Sequence, residues 1–206
     1  MGSNDDSNLL TMMHIDRDHP FRKNTEQYIA DRYTTAFQAQ LNRFMPDFLA
    51  LVDAHKQLLS VCGYQSAAVS PLFLEQYLDC PAEQLIAQAL GHPVARSELI
   101  EFGQLASFSH HLSRLHFTKI AEHLVGQGYT WCIFTATGPL QAMMHRLGLT
   151  PVLLADATAS RIHNAEQIWG TYYQRHPKIY AGHLATGLNI LKQRQSGYRH
   201  VSGGQR

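Results

Sequence analysis

The middle of the chain alternates between strand-like and helix-like segments, and this alternation limits the possible folds more than any other feature. Residues 98–108, 129–136 and 151–156 are short apolar runs typical of strands. Residues 109–126 and 137–148, which separate them, carry apolar side chains at helical spacing and end in glycine. Such a β-α-β-α-β unit forms a sheet with helices packed on its faces and right-handed crossovers. We therefore predict a single α/β domain of mixed α+β type, with a central twisted mixed sheet and helices on both faces.

The flanking segments extend this prediction on both sides of the alternating unit. Upstream, the patterns indicate a helix over 24–44, a β-hairpin formed by 48–53 and 57–64, and a helix over 81–90. Downstream, they indicate a helix over 164–175, a strand over 177–181 and a helix over 184–193. Because the two ends of the chain have little to bury, we predict flexible tails over 1–20 and 195–206 around a domain of residues 21–194.

The composition argues against several classes of function. The formal net charge of the 206 residues is +1 and no basic stripe is present, which argues against a nucleic-acid partner. No run of about 18 apolar residues occurs, so we predict no transmembrane segment. The charged fraction of 16% is low, which is compatible with a homodimer interface or an apolar ligand.

The cysteines and histidines indicate neither a disulfide framework nor a metal site. Cys62, Cys80 and Cys132 are odd in number and irregular in spacing. Together with an N-terminus that lacks a signal-peptide pattern, this favours a reducing, cytoplasmic location. The 13 histidines are scattered, and neither an HExxH nor a CxxC motif occurs. We therefore predict that no metal is bound.

Six blocks of the sequence resemble one known family, in the same order. They are Phe73-Leu-Glu-Gln-Tyr-Leu-Asp, Glu101-Phe-Gly-Gln-Leu-Ala-Ser, Trp131-Cys-Ile-Phe-Thr-Ala-Thr, Arg146-Leu-Gly-Leu-Thr-Pro, Trp169-Gly-Thr-Tyr-Tyr and Pro177-Lys-Ile-Tyr-Ala-Gly. From about residue 19 to residue 191 the chain resembles the thermostable hemolysin family. That family is similar to a branch of the GNAT acyltransferase fold near the acyl-homoserine-lactone and N-acyl amino acid synthases. The resemblance implies an opening between strands 98–108 and 129–136, where an acyl thioester would enter.

The resemblance also implies where the acyl donor binds. The implied donor-binding residues are Gln104, Leu105, Ala106, Ser107, His110, His111, Phe134 and Thr135. Ser107 could instead cap the next helix, which is the role that we favour for it. A usual GNAT enzyme has a glycine-rich loop after this strand, where backbone N–H groups approach the pyrophosphate of coenzyme A, but residues 107–115 contain no glycine. The donor is therefore expected to be acyl-CoA held by other contacts, or the phosphopantetheine of an acyl carrier protein. His110 and His111 could receive its phosphate, or they could be exposed histidines without a role.

Glu101 is the first candidate for a catalytic residue. A carboxylate at this place on the strand could take a proton from an amine nucleophile, directly or through water. Partial burial would raise its pKa toward the working pH. The alternative is a structural Glu that pairs with Arg96, Arg32 or another cation.

The aromatic block near residue 170 provides candidates for a proton donor and for an acyl pocket. In many GNAT enzymes a Tyr acts as the acid at the position that Met144 occupies here, and Met cannot donate a proton. Tyr172 or Tyr173 could supply that proton, and together with Trp169 they could line a pocket for the acyl chain. The alternative is that all three are core residues.

Four residues are candidates for binding the acceptor, namely Arg22, Arg32, Glu75 and Trp169. The two arginines could hold the carboxylate of an amino-acid-like acceptor by a bidentate fork, or they could lie on a solvated helix face. Glu75 could orient the amine, or it could form a structural ion pair with Arg22.

These residues predict an N-acyltransferase that moves an acyl group from acyl-CoA or an acyl carrier protein to a small amine, with an amino acid as the preferred acceptor. One alternative is a membrane-damaging protein, as the family name suggests, although the sequence has no suitable amphipathic segment. Another is an inactive GNAT-like module that binds a lipid or protein partner, which the missing glycines and the missing Tyr favour.

Overall fold

The computed structural model describes residues 10–107 and 112–201, and these residues form a single seven-stranded sheet covered by helices. In chain order the elements are β1 (Thr11–Ile15), α1 (Arg22–Phe37), β2 (Asp47–Val52), β3 (Leu58–Ser66), α2 (Ala82–Leu90), β4 (Leu99–Ser107), α3 (Ser113–Gly126), β5 (Trp131–Ala136), α4 (Gly138–Arg146), β6 (Val152–Asp156), α5 (Ala165–Trp169), β7 (Lys178–His183) and α6 (Leu184–Val201). Short 3-10 helices lie at Phe73–Tyr77, Arg96–Glu98, Ala159–Arg161 and Tyr172–Arg175. Within the described ranges, no helix combines the length and apolar character needed to cross a membrane.

The strands lie in the order β1-β2-β3-β4-β5-β7-β6. Only β4 and β5 are parallel, and α3 connects them, whereas every other neighbouring pair is antiparallel. The predicted hairpin is β2 and β3. The predicted alternating unit is interrupted in space, because β7 lies between β5 and β6. The mixed sheet and the predicted α/β class are confirmed.

Each face of the sheet carries its own core. On one face, here called the α1 face, α1 buries Ile29 against Ala50 and Val61, and α2 buries Ile86 against Leu99. On the other, here called the α3 face, α3 and α6 bury Leu124 and Leu184 against Ile100. Because successive strand residues point to opposite faces, β4 presents Leu99 to one core and Ile100 to the other.

The predicted N-terminal boundary is wrong. Residues 1–20 were expected to form a tail, but β1 (Thr11–Ile15) pairs with β2 along its whole length. Its sequence shows little hydrophobic alternation because it is an edge strand, in which only Ile15 is fully buried. The domain therefore begins well before residue 21.

Three helices differ from their predicted extents. Helix α1 ends at Phe37, because Gln38 adopts a left-handed conformation with φ 57°, so the apolar spacing that predicted helix to residue 44 continues in an irregular segment. The predicted helix over 164–175 is broken at Gly170, which has φ 54°. Helix α6 continues to Val201, past the predicted end of the domain.

Candidate active site

The two parallel strands at the centre of the sheet separate at a defined point. They pair from Leu99 with Trp131 to Phe102 with Phe134. Beyond this point β4 continues to Ser107 beside β3 alone, and β5 continues to Ala136 beside β7 alone. This separation, here called the divergence, lies between the two strands where the resemblance implies an opening.

A bulge in β4 accompanies the divergence. Gln104 has φ 52°, and the register of β4 against β3 shifts between Val61 and Gly63. The buried side chain of Gln104 is held by the segment before β2, since its Oε1 accepts from Met45 N at 2.9 Å and its Nε2 donates to Arg43 O at 2.7 Å. The Gln104 side chain therefore stabilises the bulge, and only its backbone remains for the predicted contact with a donor.

Two glycines allow a methionine to lie directly on the sheet at this bulge. A Cβ atom on Gly63 would lie 2.7 Å from the Met45 side chain, and a Cβ atom on Gly103 would lie 2.4 Å from it. Gly63 is needed for this close approach, because its Cβ atom would meet Cβ and Cγ of Met45. A Cβ atom on Gly103 would come closest to the terminal methyl group of Met45, which a rotation of that side chain can move away.

Glu101 lies on β4 immediately before the divergence and is 2% exposed. Its Oε2 accepts from Phe73 N at 2.7 Å and from Gln65 Nε2 at 3.0 Å, and its Oε1 accepts from Leu74 N at 3.1 Å. Burial raises the pKa of Glu101 to about 7, while these three hydrogen bonds oppose the shift. The carboxyl group can therefore gain or lose a proton near neutral pH.

The expected alternative, a structural ion pair of Glu101 with Arg96 or Arg32, is not what the structure contains. Arg96 instead holds Glu75 in a bidentate contact at 2.6 and 2.9 Å, and it reaches Glu83 at 2.6 Å. Arg32 donates to the backbone oxygen of Ser107 at 2.8 Å. Glu101 is thus held by uncharged donors.

Glu75 and Arg22 do not form the ion pair with each other that was the predicted structural alternative. The hydrogen bond from Arg96 is the main reason that the pKa of Glu75 falls to about 2. Arg22 donates to Met45 O at 2.6 Å, to Pro46 O at 2.7 Å and to Glu26 at 2.7 Å. Both side chains are thus engaged by protein groups.

A cluster of aromatic rings lies on the α1 face beside Glu101. This aromatic cluster consists of Tyr33, Phe37, Phe73, Tyr77, Trp169, Tyr172 and Tyr173. Trp169 is central to it, with ring centroids 5.5 Å from Tyr172, 5.7 Å from Phe73 and 6.1 Å from Tyr33. Because Phe73 also donates its backbone N–H to Glu101, the carboxylate and the cluster form one site.

Two tyrosine hydroxyls of the cluster have defined partners. Tyr172 donates to Thr135 Oγ1 on β5 at 3.1 Å, and burial raises the pKa of Tyr172 to about 12. Tyr173 shares a 2.7 Å hydrogen bond with the hydroxyl of Tyr77, whose pKa is raised by burial and by this bond. Burial also raises the pKa of Tyr173, so both tyrosines predicted to donate protons are protonated at neutral pH.

Gly170 makes this arrangement possible. With φ 54°, it follows Trp169 where α5 ends, and a Cβ atom there would lie 2.1 Å from the backbone oxygen of Phe37. The next residue, Thr171, donates its N–H to the same oxygen at 2.8 Å. Only glycine allows the end of α1 to lie this close to Trp169 and Tyr172. The sequence contained the Trp-Gly-Thr-Tyr-Tyr block but no indication of the partner.

The structure unites some of the predicted residues and disperses others. Glu101, Thr135, Trp169, Tyr172 and Tyr173 lie together on the α1 face. Leu105 and Phe134 pack in the core of the α3 face, and Ala106 is buried against α1. Helix α3 has Leu112 at its N-cap, so Ser107 does not cap it. His110 and His111 lie outside the described residues.

A buried histidine on the α3 face was not among the residues that the sequence predicted. His116 is fully buried, and its Nε2 lies 3.0 Å from Leu49 O while its Nδ1 lies 2.7 Å from Ser60 Oγ. Because a carbonyl only accepts, Nε2 carries the proton and Nδ1 accepts from the serine. Burial lowers the pKa of His116 to about 4, so it is neutral and joins α3 to β2 and β3. A single His in a helix has no distinguishing signal in the sequence.

The diverging strands and the mixed sheet define a GNAT-like fold, which solved acyl synthases share. BjaI, a CoA-dependent acyl-homoserine lactone synthase solved with SAM and isopentyl-CoA, is 11% identical with a TM-score of 0.57, covering 90% of this chain and 89% of its own. The AHL synthase LasI is 11% identical with a TM-score of 0.58, covering 88% and 94%. FeeM, an N-acyl amino acid synthase from uncultured soil microbes, is 10% identical with a TM-score of 0.58, covering 87% and 93%. At these identities the likeness establishes the fold alone.

The sequence places the chain more narrowly. The family model described as Thermostable hemolysin matches residues 15–188. The chain belongs to the thermostable hemolysin family, as the six sequence blocks predicted. No curated protein matches the sequence at a significant level.

Proposed function

We propose that this protein is an N-acyltransferase, which moves an acyl group from a thioester to the amine of a small acceptor such as an amino acid. One observation carries the proposal: β4 and β5 stop pairing after Phe102 and Phe134, directly beside the buried carboxyl group of Glu101. A gap between two strands offers a path for the extended arm of a thioester. A carboxylate next to that gap offers a proton acceptor for the amine.

In the proposed reaction the thioester carbonyl lies in the divergence. Backbone N–H groups on the edges of β4 and β5 that no longer face each other polarise the carbonyl oxygen, as in an oxyanion hole. The amine attacks the carbonyl carbon, so that a C–N bond forms and the C–S bond breaks. Glu101 takes the proton released by the amine, since a group with a pKa of about 7 is partly ionised at neutral pH.

The leaving thiolate also needs a proton. Tyr172 reaches β5 at Thr135, and Tyr173 lies next to it in the aromatic cluster, with 5.4 Å between the two ring centroids. We assign the proton to one of these two hydroxyls, which is then reprotonated from solvent. Trp169 and its neighbouring rings would provide the apolar wall for the acyl chain.

The donor is proposed to be acyl-CoA or an acylated carrier protein. BjaI, which shares the fold, is described as CoA-dependent, and this supports the first choice. The lack of glycine in residues 107–115 supports the second, because it removes the usual backbone cradle for pyrophosphate. FeeM, described as an N-acyl amino acid synthase, supports an amino acid as the acceptor.

The test is acyl transfer by the purified chain. Acyl-CoA and acyl carrier protein donors of several chain lengths are incubated with a pool of amino acids and amines, and both free thiol and N-acyl products are measured. E101Q is expected to lower the rate by about 100-fold or more. E98Q, which alters an exposed Glu three residues earlier, should leave the rate unchanged. Absence of thiol release with every donor, or full activity of E101Q, would contradict the proposal.

Membership of a hemolysin family favours one further property, lysis of membranes. We propose that lysis arises from a surface-active N-acyl product made in the host. Purified protein should then leave red cells intact unless donor and acceptor are supplied. Lysis by the protein alone would favour direct membrane damage instead.

A further inference from the structure

The segment that binds Glu101 on the α1 face contains a second carboxylate, Glu75. This segment, here called the covering segment, consists of residues 67–83 and runs from the end of β3 to the first turn of α2. It includes the 3-10 helix Phe73–Tyr77, whose first two residues, Phe73 and Leu74, donate their backbone N–H groups to Glu101. Glu75 is the next residue along the chain, so the two carboxylates depend on the same short helix.

One arginine ties the covering segment together. Arg96 donates through Nε to the backbone oxygen of Ala67 at 2.9 Å and through Nη1 to Glu83 at 2.6 Å. Its Nη1 and Nη2 also bind the two oxygens of Glu75, at 2.6 and 2.9 Å. Arg96 begins the short 3-10 helix that leads directly into β4. The beginning, the middle and the end of the covering segment are thus fixed to the strand that carries the proposed base.

The acceptor sites of Glu75 are fully used. A carboxylate offers about four lone-pair sites, two on each oxygen. Oε1 of Glu75 accepts from Arg96 Nη1 and from Ala82 N at 3.0 Å, and Oε2 accepts from Arg96 Nη2 and from Leu72 N at 2.9 Å. Glu75 therefore has no site left for the amine of a substrate.

Glu101 keeps one acceptor site. Its Oε2 accepts from Phe73 N and Gln65 Nε2, whereas among the described residues its Oε1 accepts from Leu74 N alone. One site on Oε1 therefore stays available for the proton of an amine. Both amide contacts depend on the position of the 3-10 helix, because a shift of about 1 Å would take them beyond hydrogen-bonding distance.

We propose that Arg96 and Glu75 form a positioning pair, which fixes the 3-10 helix Phe73–Tyr77 so that Glu101 presents Oε1 to the acceptor amine. The inference deepens the proposed function and rests on it for the chemical role of Glu101. Both residues of the pair act through the 3-10 helix and not on the substrate. Glu75 thereby has a different role from the binding of the acceptor, which was the prediction from the sequence.

The first test needs no substrate and measures amide hydrogen exchange of the intact chain by NMR. R96K keeps the charge but loses the bidentate fork, and E75Q loses the carboxylate that the fork binds. In both variants the amides of Phe73 and Leu74 should exchange about tenfold faster relative to the amide of Ile133, a fully buried residue of β5. R161K, which alters an exposed, ion-paired arginine outside the covering segment, should keep the wild-type ratio.

A second measurement separates positioning from a general loss of stability. In the wild type, the amide proton shifts of Phe73 and Leu74 should follow the titration of Glu101 with a midpoint of about 7, and E101Q should abolish this change. R96K and E75Q should reduce its amplitude, because the two amides no longer lie against the carboxyl group. A variant that only lowers the stability of the whole fold would leave the amplitude unchanged.

The third measurement is kinetic. R96K and E75Q should each lower kcat/KM for acyl transfer by about tenfold or more. R96K should cause no further loss in the E101Q background, since the pair acts through Glu101.

Wild-type exchange ratios and titration amplitudes in R96K and E75Q would overturn the inference, even if the rate of acyl transfer fell. The two variants alter the pair from opposite sides, so either one that folds, as judged by circular dichroism, is sufficient for the test. A chain that releases no thiol with any donor would contradict only the proposed function, because exchange and titration would still report the effect of the pair on Glu101.

Discussion

Two buried titratable side chains lie on opposite faces of the sheet, and burial moves their pKa values in opposite directions. On the α1 face, Glu101 is 2% exposed and its pKa rises to about 7. On the α3 face, His116 is fully buried and its pKa falls to about 4. In both cases the main cause is desolvation, which disfavours the charged form of either group.

The comparison separates a proton acceptor from a structural bridge. Desolvation brings the carboxyl group into the range where it exchanges a proton at neutral pH, and it removes the imidazole from that range. Glu101 also borders the divergence, whereas both ring nitrogens of His116 are bound by Ser60 and Leu49. The same physical effect therefore makes one group suitable for chemistry and the other suitable only for holding α3 on the sheet.

The largest expected effect concerns Glu101. The rate of acyl transfer should rise with pH through about 7, because only the ionised carboxylate accepts a proton. E101Q should lower kcat/KM by about 10²–10⁴-fold and remove this step from the pH profile. Thiol release measured between pH 5 and pH 9 at about half-unit steps checks both expectations. An unchanged midpoint in E101Q would assign the titration to another group.

The next largest effect concerns His116, which joins α3 to β2 and β3. H116A should lower the free energy of unfolding by about 3–5 kcal/mol, because it leaves a cavity and removes the partners of Ser60 and Leu49. H116Q, whose amide can both donate and accept, should lower the free energy of unfolding by less than H116A does. Urea unfolding measures both, with H145A on an exposed helix position as the control. If H116A and H145A had the same free energy of unfolding, the hydrogen bonds of His116 would have no structural importance.

The pH dependence of stability should differ in sign between the two sites. The raised pKa of Glu101 favours folding below about pH 4.5, and this contribution is lost as the pH rises through about 7. The lowered pKa of His116 acts oppositely, since its contribution is complete above about pH 6.5 and is lost as the pH falls toward 4. Each shift corresponds to about 3 kcal/mol.

Variants should separate these two contributions. Relative to the wild type, E101Q should gain stability by about 3 kcal/mol as the pH rises from 4.5 to 7, and H116Q should lose about as much between pH 4 and 6.5. Urea unfolding at a series of pH values gives, for each variant, the slope of the free energy of unfolding against pH relative to the wild type. Slopes of the same sign would invalidate the comparison between the two faces.

The smallest expected effect lies within the aromatic cluster. Y77F removes the 2.7 Å hydrogen bond to Tyr173 and should lower the free energy of unfolding by about 1 kcal/mol. Because Tyr77 has no proposed role in proton transfer, the pH midpoint of acyl transfer should stay at the wild-type value. Thermal unfolding and the pH–rate profile test this, and a shifted midpoint would include Tyr77 in the proton path.

Most of the candidate site's residues could be predicted, but few of their partners. Hydrophobic periodicity located the strands that carry Glu101 and Thr135, and the six sequence blocks indicated Trp169 and its neighbours. The same reasoning paired Glu75 with Arg22, whereas the structure pairs it with Arg96. It also missed Ser60 with His116, which are 56 positions apart. Spacing along the chain predicts the face on which a residue lies, but it does not predict which residues that side chain contacts there.

The sequence alone determined the kinds of element and the family, because helical and strand periods are local properties that neighbouring residues impose on each other. Only the tertiary structure decided that β7 separates β5 from β6, that β1 extends the sheet, and that Gly170 brings α1 against the aromatic cluster. Burial itself also depends on the whole fold, since the pKa of a carboxyl or imidazole group is shifted by every atom that displaces water around it. The pKa values of Glu101 and His116 could therefore be inferred only from the folded structure.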